Sequence, residues 1–232
     1  MPLFPVQPTR VPMNLDDLIQ RADVWRGGDA PPLSGLASGY RALDDLLNGG
    51  WPQGALVEIL SAYRGIGELR LLLPALAGLT QDKRWLAFVA PPYIPYAPAL
   101  ARAGVRLERV MQVHPRTRTD TLWALEQTLR SGSCGAVLAW PQQADARSLR
   151  RLQLAAETGN CLGVLFRQPS AGRESSPAAV RLQLAPAATR LSIDVLKRRS
   201  GWPVGPIDLE VTHALALSGF SQAGAGNLYS RA

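Results

Sequence analysis

The segment of this sequence best placed for chemistry is a glycine-bearing turn between two apolar segments. Residues 55–60 predict a buried strand, and residues 68–79 predict a helix after the turn. A strand, a glycine loop and a helix in this order can bind phosphate, because loop amides and the helix N-terminus converge on one point. The eight positions of such a phosphate loop would be Ala62, Tyr63, Arg64, Gly65, Ile66, Gly67, Glu68 and Leu69.

Two residues in this turn oppose nucleotide binding. Glu68 stands where the phosphate-loop pattern requires a lysine, and Leu69 stands where it requires a hydroxyl to hold magnesium. Arg64 offers partial compensation, and a glutamate near a helix N-terminus is favourable in its own right as a capping charge. The sequence therefore favours a turn that joins strand to helix without binding a nucleotide.

No other group of residues points to a reaction or a metal site. Cys134 and Cys161 lie in apolar stretches and form neither a CxxC motif nor a Cys/His cluster, which argues against zinc and disulfides. His114, His213 and Met111 have no companions that would give them a chemical role. We therefore expect neither a cofactor nor a metal.

Composition predicts a globular core and leaves the partner open. The chain has 232 residues, of which 47% are hydrophobic, enough to bury a core without disulfides or metals. Its formal charge of +7 permits an anionic partner but does not identify one. The proline-bearing start lacks the apolar stretch of a signal peptide, and no apolar run is long enough to cross a bilayer. We expect a soluble, cytoplasmic protein.

The elements that position the turn alternate between strand and helix. Further strands are predicted at 85–90, 109–113, 134–140 and 161–166, and helices at 97–104, 119–132 and 144–159. Apolar strands alternating with helices require an α/β fold with a mainly parallel central sheet covered on both faces. Residues 167–177 are too polar for a packed element. Segments 179–185, 190–196 and 206–211 alternate strictly, which predicts an antiparallel C-terminal extension.

The predicted organisation has three regions. Residues 1–35 form an N-terminal arm, helix and linker, residues 36–212 form the core domain, and residues 213–232 form a flexible C-terminal tail. Apolar side chains outside the core are candidates for docking another protein. These candidates are Leu15, Leu18, Ile19, Trp25, Phe220 and Tyr229.

Residues 36–212 resemble the RecA recombinase family in blocks. One block is ASGYRALDDLLNGGWPQGALVEI, which resembles the family's lead-in to its first core strand, and another is residues 88–105. This resemblance implies a RecA-like, P-loop-type core. It also places the family's chemical positions at Pro92 for the catalytic carboxylate, Ala90 for a second acid and Trp140 for the magnesium aspartate. With Glu68 and Leu69, these replacements imply the loss of ATP binding and hydrolysis.

Further blocks resemble ImuA, a small RecA-like family of the bacterial damage-inducible mutagenesis cassette. They include VWRG at 24–27, GIGELRLLLPAL at 65–76 and VLKRR at 195–199. The resemblance implies a non-catalytic accessory protein of SOS-induced translesion DNA synthesis that contacts ImuB, RecA and an error-prone DNA polymerase complex. One alternative is a SulA-like inhibitor of cell division that caps the tubulin-like division protein. A second is a residual ATPase that uses Arg64 in place of the lysine.

Positive charge is concentrated between residues 167 and 200. Seven basic side chains stand there against Glu174 and Asp194. In RecA-like proteins, the matching glutamine senses nucleotide state and the matching basic pair faces the next subunit. The candidate contacts with RecA or DNA are Arg167, Gln168, Arg173, Lys197, Arg198 and Arg199. Because no aromatic residues are interleaved among them, we expect weak, sequence-independent DNA binding at most.

Overall fold

A computed structural model describes residues 35–198 and 204–211 of the chain. These ranges contain most of the predicted core domain, although the three predicted regions themselves stay a prediction. The predicted docking residues Leu15, Leu18, Ile19, Trp25, Phe220 and Tyr229 lie outside the described residues, as do Arg199 and His213.

Strands and helices alternate through most of the described chain. The helices α1 to α5 span Arg41–Leu47, Leu73–Gln81, Ala97–Arg102, Arg118–Arg130 and Ala146–Gly159. The strands β1 to β8 span Ala55–Leu60, Trp85–Val89, Val110–Val113, Cys134–Ala139, Leu162–Arg167, Val180–Ala187, Arg190–Lys197 and Val204–Leu209. Two short 3-10 segments span Leu107–Arg109 and Pro169–Arg173.

The strands form one sheet in the order β3-β2-β4-β5-β1-β6-β7-β8. All neighbours from β3 to β6 are parallel, whereas β7 and β8 are antiparallel additions. The mixed α/β class with a mainly parallel sheet and an antiparallel extension is therefore confirmed. Its assignment to the RecA-like type stays a prediction. The expectation that β6 joins the sheet in antiparallel fashion is wrong, because β6 pairs in parallel with β1.

Two apolar layers cover the sheet. Helices α1, α2 and α3 contribute leucines such as Leu43, Leu76 and Leu100 to one layer. Helices α4 and α5 contribute Leu125, Leu152 and their neighbours to the other. The central strands β1 and β4 are buried along their whole length, as expected for strands with a helix layer on each face. Across the described ranges, no helix has the length and apolarity to cross a membrane.

Two segments near the sheet differ from their predicted structure. Helix α2 begins at Leu73, with Pro74 in its first turn, and residues 68–72 form turns. Proline is favourable at the start of a helix, where its missing N–H is not needed. Residues 167–177 are also more ordered than expected, since the 3-10 segment at 169–173 buries Ala171.

Candidate functional site

A cleft of about 880 Å³ opens at the carboxyl ends of β1, β4 and β5. These strands are parallel neighbours in the sheet, so the segments that follow them meet at one edge. The cleft is lined by the turn after β1, residues 140–146 after β4 and residues 168–175 after β5. Carboxyl ends of parallel strands are where α/β proteins commonly bind ligands, which makes this edge the first place to look for a function.

Trp140 forms part of the wall of this cleft. Its ring stacks on Phe166, with ring centroids 4.5 Å apart and planes 8° apart. Its other aromatic neighbour, Phe88, has its centroid 6.2 Å away. Trp140 stands where the RecA resemblance places a magnesium aspartate, so an apolar stack occupies a position that would need a carboxylate oxygen for a metal.

The amides of the glycine turn bind a carboxylate from the same chain. The Glu68 carboxylate accepts hydrogen bonds from the backbone N–H of Gly65, at 2.8 Å, and of Gly67, at 3.1 Å. Both glycines have positive φ, a backbone conformation that glycine adopts without strain. Since α2 begins only at Leu73, no helix N-terminus follows the turn directly. The amides that could meet a phosphate are therefore bound to a carboxylate of the same chain.

A second cavity of about 430 Å³ lies beside the cleft and shares Arg64, Arg118 and Trp140 with it. Ala90 and Pro92 line this cavity beside Trp140, so the structure brings together three of the five residues that the resemblance assigned to lost chemistry, whereas Glu68 lines the larger cleft. Arg116, in the segment before α4, and Arg118, the first residue of α4, also line it and were not singled out from the sequence. No acidic side chain lines this cavity among the described residues.

A buried carboxylate ties the predicted contact residue Arg167, and Arg181 from the same basic stretch, into the sheet. Glu58, fully buried in β1, accepts hydrogen bonds from Arg167 Nη1 and Arg181 Nε, each at 2.6 Å. Arg181 also donates to the carbonyls of Ala171 and Glu174 and so holds the 3-10 segment at 169–173 on the sheet. Because Arg167 and Arg181 are 7% exposed and paired with this carboxylate, they do not form a basic face open to DNA.

The other candidate contact residues within the described ranges differ in exposure and in hydrogen-bond partners. Gln168 and Arg173 are exposed, and only Gln168 of the two lines the cleft. Lys197 Nζ donates to the Ser176 carbonyl at 2.8 Å, and burial lowers the pKa of this lysine. Arg198 donates to the Leu46 carbonyl at 2.8 Å. Whether this chain binds DNA stays a prediction.

The two cysteine thiols are free and buried. Burial raises the pKa of Cys134 and, to a greater extent, that of Cys161, so both stay protonated at neutral pH. Among the described residues, no three His, Cys, Asp or Glu side chains are grouped so that they could hold a metal ion.

The sequence reasoning also missed an exposed apolar loop. Tyr93, Ile94 and Tyr96 lie between β2 and α3 and are each at least 70% exposed. Tyr63, in the turn after β1, is 57% exposed. The run PPYIPY at 91–96 carries the signal, because prolines exclude a helix or strand there while the aromatic residues remain.

Comparisons with known proteins point to one family. The family model described as "Cell division inhibitor SulA" matches residues 57–163. The chain is 33% identical to a cell division inhibitor SulA of Edwardsiella piscicida over 128 residues, which are 55% of this chain and 76% of the relative. It is also 33% identical to the SulA of Photorhabdus laumondii over 115 residues, 50% of this chain and 65% of that relative.

A solved structure gives a similar match in sequence. The SulA of Pseudomonas aeruginosa shares 30% identity and is covered over 97% of its length, against 48% of this chain, with a TM-score of 0.41. In the Photorhabdus relative, the matched part falls just short of two thirds of the whole protein.

These comparisons overturn the function predicted from the sequence. The relatives are inhibitors of cell division, so the predicted role in translesion synthesis and mutagenesis is wrong. The predicted partners ImuB, RecA and an error-prone polymerase complex are wrong for the same reason. The alternative reading, a SulA-like inhibitor of cell division, is the one the comparisons favour.

Proposed function

This chain belongs to the SulA family of cell division inhibitors, and we propose that it blocks division by binding the tubulin-like division protein FtsZ. The observation that carries the proposal is the family match over residues 57–163, which runs from β1 to β5. That stretch contains every segment that lines the arginine-bearing second cavity. The family resemblance therefore covers this exposed edge of the sheet as well as buried strands.

We infer that inhibition is stoichiometric binding without catalysis. The Glu68 carboxylate accepts hydrogen bonds from the amides of the glycine turn. The positions matched to the RecA carboxylates are Ala90, Pro92 and Trp140. A nucleoside triphosphate would have to displace one carboxylate and then meet its negative charge at short range. A mechanism that needs no nucleotide of its own is consistent with this site, and it would operate in the cytoplasm, where division proteins assemble.

Sedimentation of FtsZ polymers with GTP tests the main proposal. Adding the full chain at an equimolar ratio is expected to reduce the pelleted FtsZ by about half or more, because a bound subunit is withdrawn from assembly. Heat-unfolded chain at the same concentration is the control. Unchanged pelleting at a several-fold excess of folded chain contradicts the proposal.

Calorimetric titration with ATP and Mg²⁺ tests the second inference. The wild-type chain is expected to give no saturable heat, and neither is Glu68→Ala, which frees the amides but supplies no lysine or hydroxyl. The double variant Glu68→Lys with Leu69→Thr restores both missing groups and is the matched positive test of the turn. Saturable binding by the wild-type chain in the micromolar range would overturn the inference.

A further inference from the structure

The loop at 91–96 exposes apolar side chains that the described part of the chain leaves uncovered. Ile94 is 79% exposed, and Tyr93 and Tyr96 are exposed to a similar degree. Tyr63 extends the same edge of the sheet from the turn after β1. We refer to Tyr63, Tyr93, Ile94 and Tyr96 as the aromatic lip. Apolar groups in this number at one edge are typical of a surface that another protein covers.

Three prolines restrict the conformation of the loop that carries most of this lip. Pro91, Pro92 and Pro95 restrict the backbone around Tyr93 and Ile94, and α3 with a further proline in its first turn begins directly after Tyr96. A loop already restricted in this way loses less conformational entropy when a partner orders it. The exposure of the lip is therefore compatible with tight binding.

The second cavity lies next to this loop and is lined by positively charged side chains. Pro92 is one of its walls, and Arg64, Arg116 and Arg118 line it. Arg118 Nη1 donates to the neutral Gln143 Oε1 at 2.9 Å. No ion pair with a described residue is found for Arg64 or Arg116. Arg64 and Arg118 also line the larger cleft, to which Asp145 belongs, but Asp145 does not line this cavity.

We propose that the aromatic lip and this arginine cavity together form the docking surface for FtsZ, which would present an apolar patch with acidic side chains beside it. This inference rests on the proposed function and names the surface that performs it. Three guanidinium groups around a cavity without a carboxylate attract an anion, and carboxylates pair with arginine in bidentate geometry. The net charge of +7 steers the same kind of partner to the chain.

A protein fits this surface better than a nucleic acid. Tyr63, Tyr93 and Tyr96 carry rings on which a base could stack, but Ile94 and the prolines, which are central to the lip, are aliphatic and offer none. The turn amides that could bind a phosphate are held by Glu68. An acidic protein surface uses both the apolar and the charged part of the site.

Binding of fluorescently labelled FtsZ to the full chain and four single variants tests this surface. Ile94→Asp and Arg116→Glu are each expected to raise the Kd about tenfold or more, because each places a negative charge at the site. Leu154→Asp and Arg150→Glu are matched controls, since both side chains are exposed on α5 and line neither cavity. The controls are expected to bind within about twofold of wild type. Far-ultraviolet circular dichroism and Tm of each variant verify folding.

The outcomes separate this surface from the proposed function. If the wild-type chain binds FtsZ and both site variants bind equally well, the surface is wrong and the function stands. If the folded wild-type chain does not bind FtsZ, the proposed function fails and the docking surface fails with it. A labelled single-stranded oligonucleotide serves as the second probe. Tight binding of this probe that Arg116→Glu abolishes would overturn the assignment of the surface to a protein.

Discussion

The buried carboxylate of Glu58 should be worth more to stability than any surface charge in this protein. Its two oxygens accept hydrogen bonds from Arg167 and Arg181 at 2.6 Å, and its side chain is fully buried. Glu58→Gln keeps the shape of the side chain but removes the charge, which leaves two buried guanidinium groups without their shared anion. Breaking a buried ion pair from one side costs about 3–5 kcal/mol of unfolding free energy.

Other contacts in the network reduce the expected loss to the lower part of that range. Arg167 Nη2 still reaches Glu174 at 2.8 Å and the Ala144 carbonyl at 3.1 Å. Arg181 keeps the carbonyls of the 3-10 segment. We therefore expect Glu58→Gln to lower the unfolding free energy by about 3 kcal/mol. Urea unfolding followed by tryptophan fluorescence and by circular dichroism measures this loss.

Glu174→Gln is the matched control for this measurement. The Glu174 carboxylate pairs with the same Arg167, but its side chain is 55% exposed, so water screens the interaction. Its loss is expected to cost less than about 1 kcal/mol. Adding Arg181→Met to Glu58→Gln removes one unpaired charge and should recover part of the stability. An equal loss in the two single variants, or a loss below about 1 kcal/mol for Glu58→Gln, would refute the role assigned to burial.

Three further predictions concern packing and burial in this fold. A Cβ added at Gly159 would clash with the Leu129 carbonyl oxygen, so Gly159→Ala should separate α4 from α5 and lower the Tm. A Cβ added at Gly78 in α2 would meet nothing within 4 Å. Gly78→Ala should therefore raise the unfolding free energy by about 0.5–1 kcal/mol, because alanine favours a helix more than glycine does. A result with Gly159→Ala as stable as wild type in thermal unfolding would contradict this contact. Burial raises the pKa of Cys134 and Cys161, so neither thiol should react with Ellman's reagent at pH 8 until denaturant is added. Immediate reaction of the native protein would show that the thiols are accessible to the reagent.

The general architecture could be predicted from local patterns. Apolar runs such as 85–89 and 134–139 are too uniform for a sheet with a solvated face, so they required helices on both sides. Local sequence also predicted that the glycine turn is a poor nucleotide site, because Glu68 and Leu69 replace two adjacent residues of the phosphate-loop pattern. The function was not predictable in this way, because the blocks that suggested a mutagenesis protein describe a strand-and-helix core, and fold does not determine partners.

The tertiary structure decided which charged side chains are buried in ion pairs and which are left to contact a partner. Glu58 and Arg181 are separated by 123 residues along the chain, and Glu58 and Arg167 by 109, so a local charge count placed both arginines on a basic face. Only the parallel pairing of β6 with β1 brings Arg181 beside Glu58 and buries it there. In the same way, Arg64, Arg116 and Pro92 become neighbours only when their strand ends meet at one edge of the sheet. The sequence by itself determined which segments are buried, because burial follows local apolar content. The structure decided which charges meet, because ion pairing depends on distances in space that local sequence patterns do not contain.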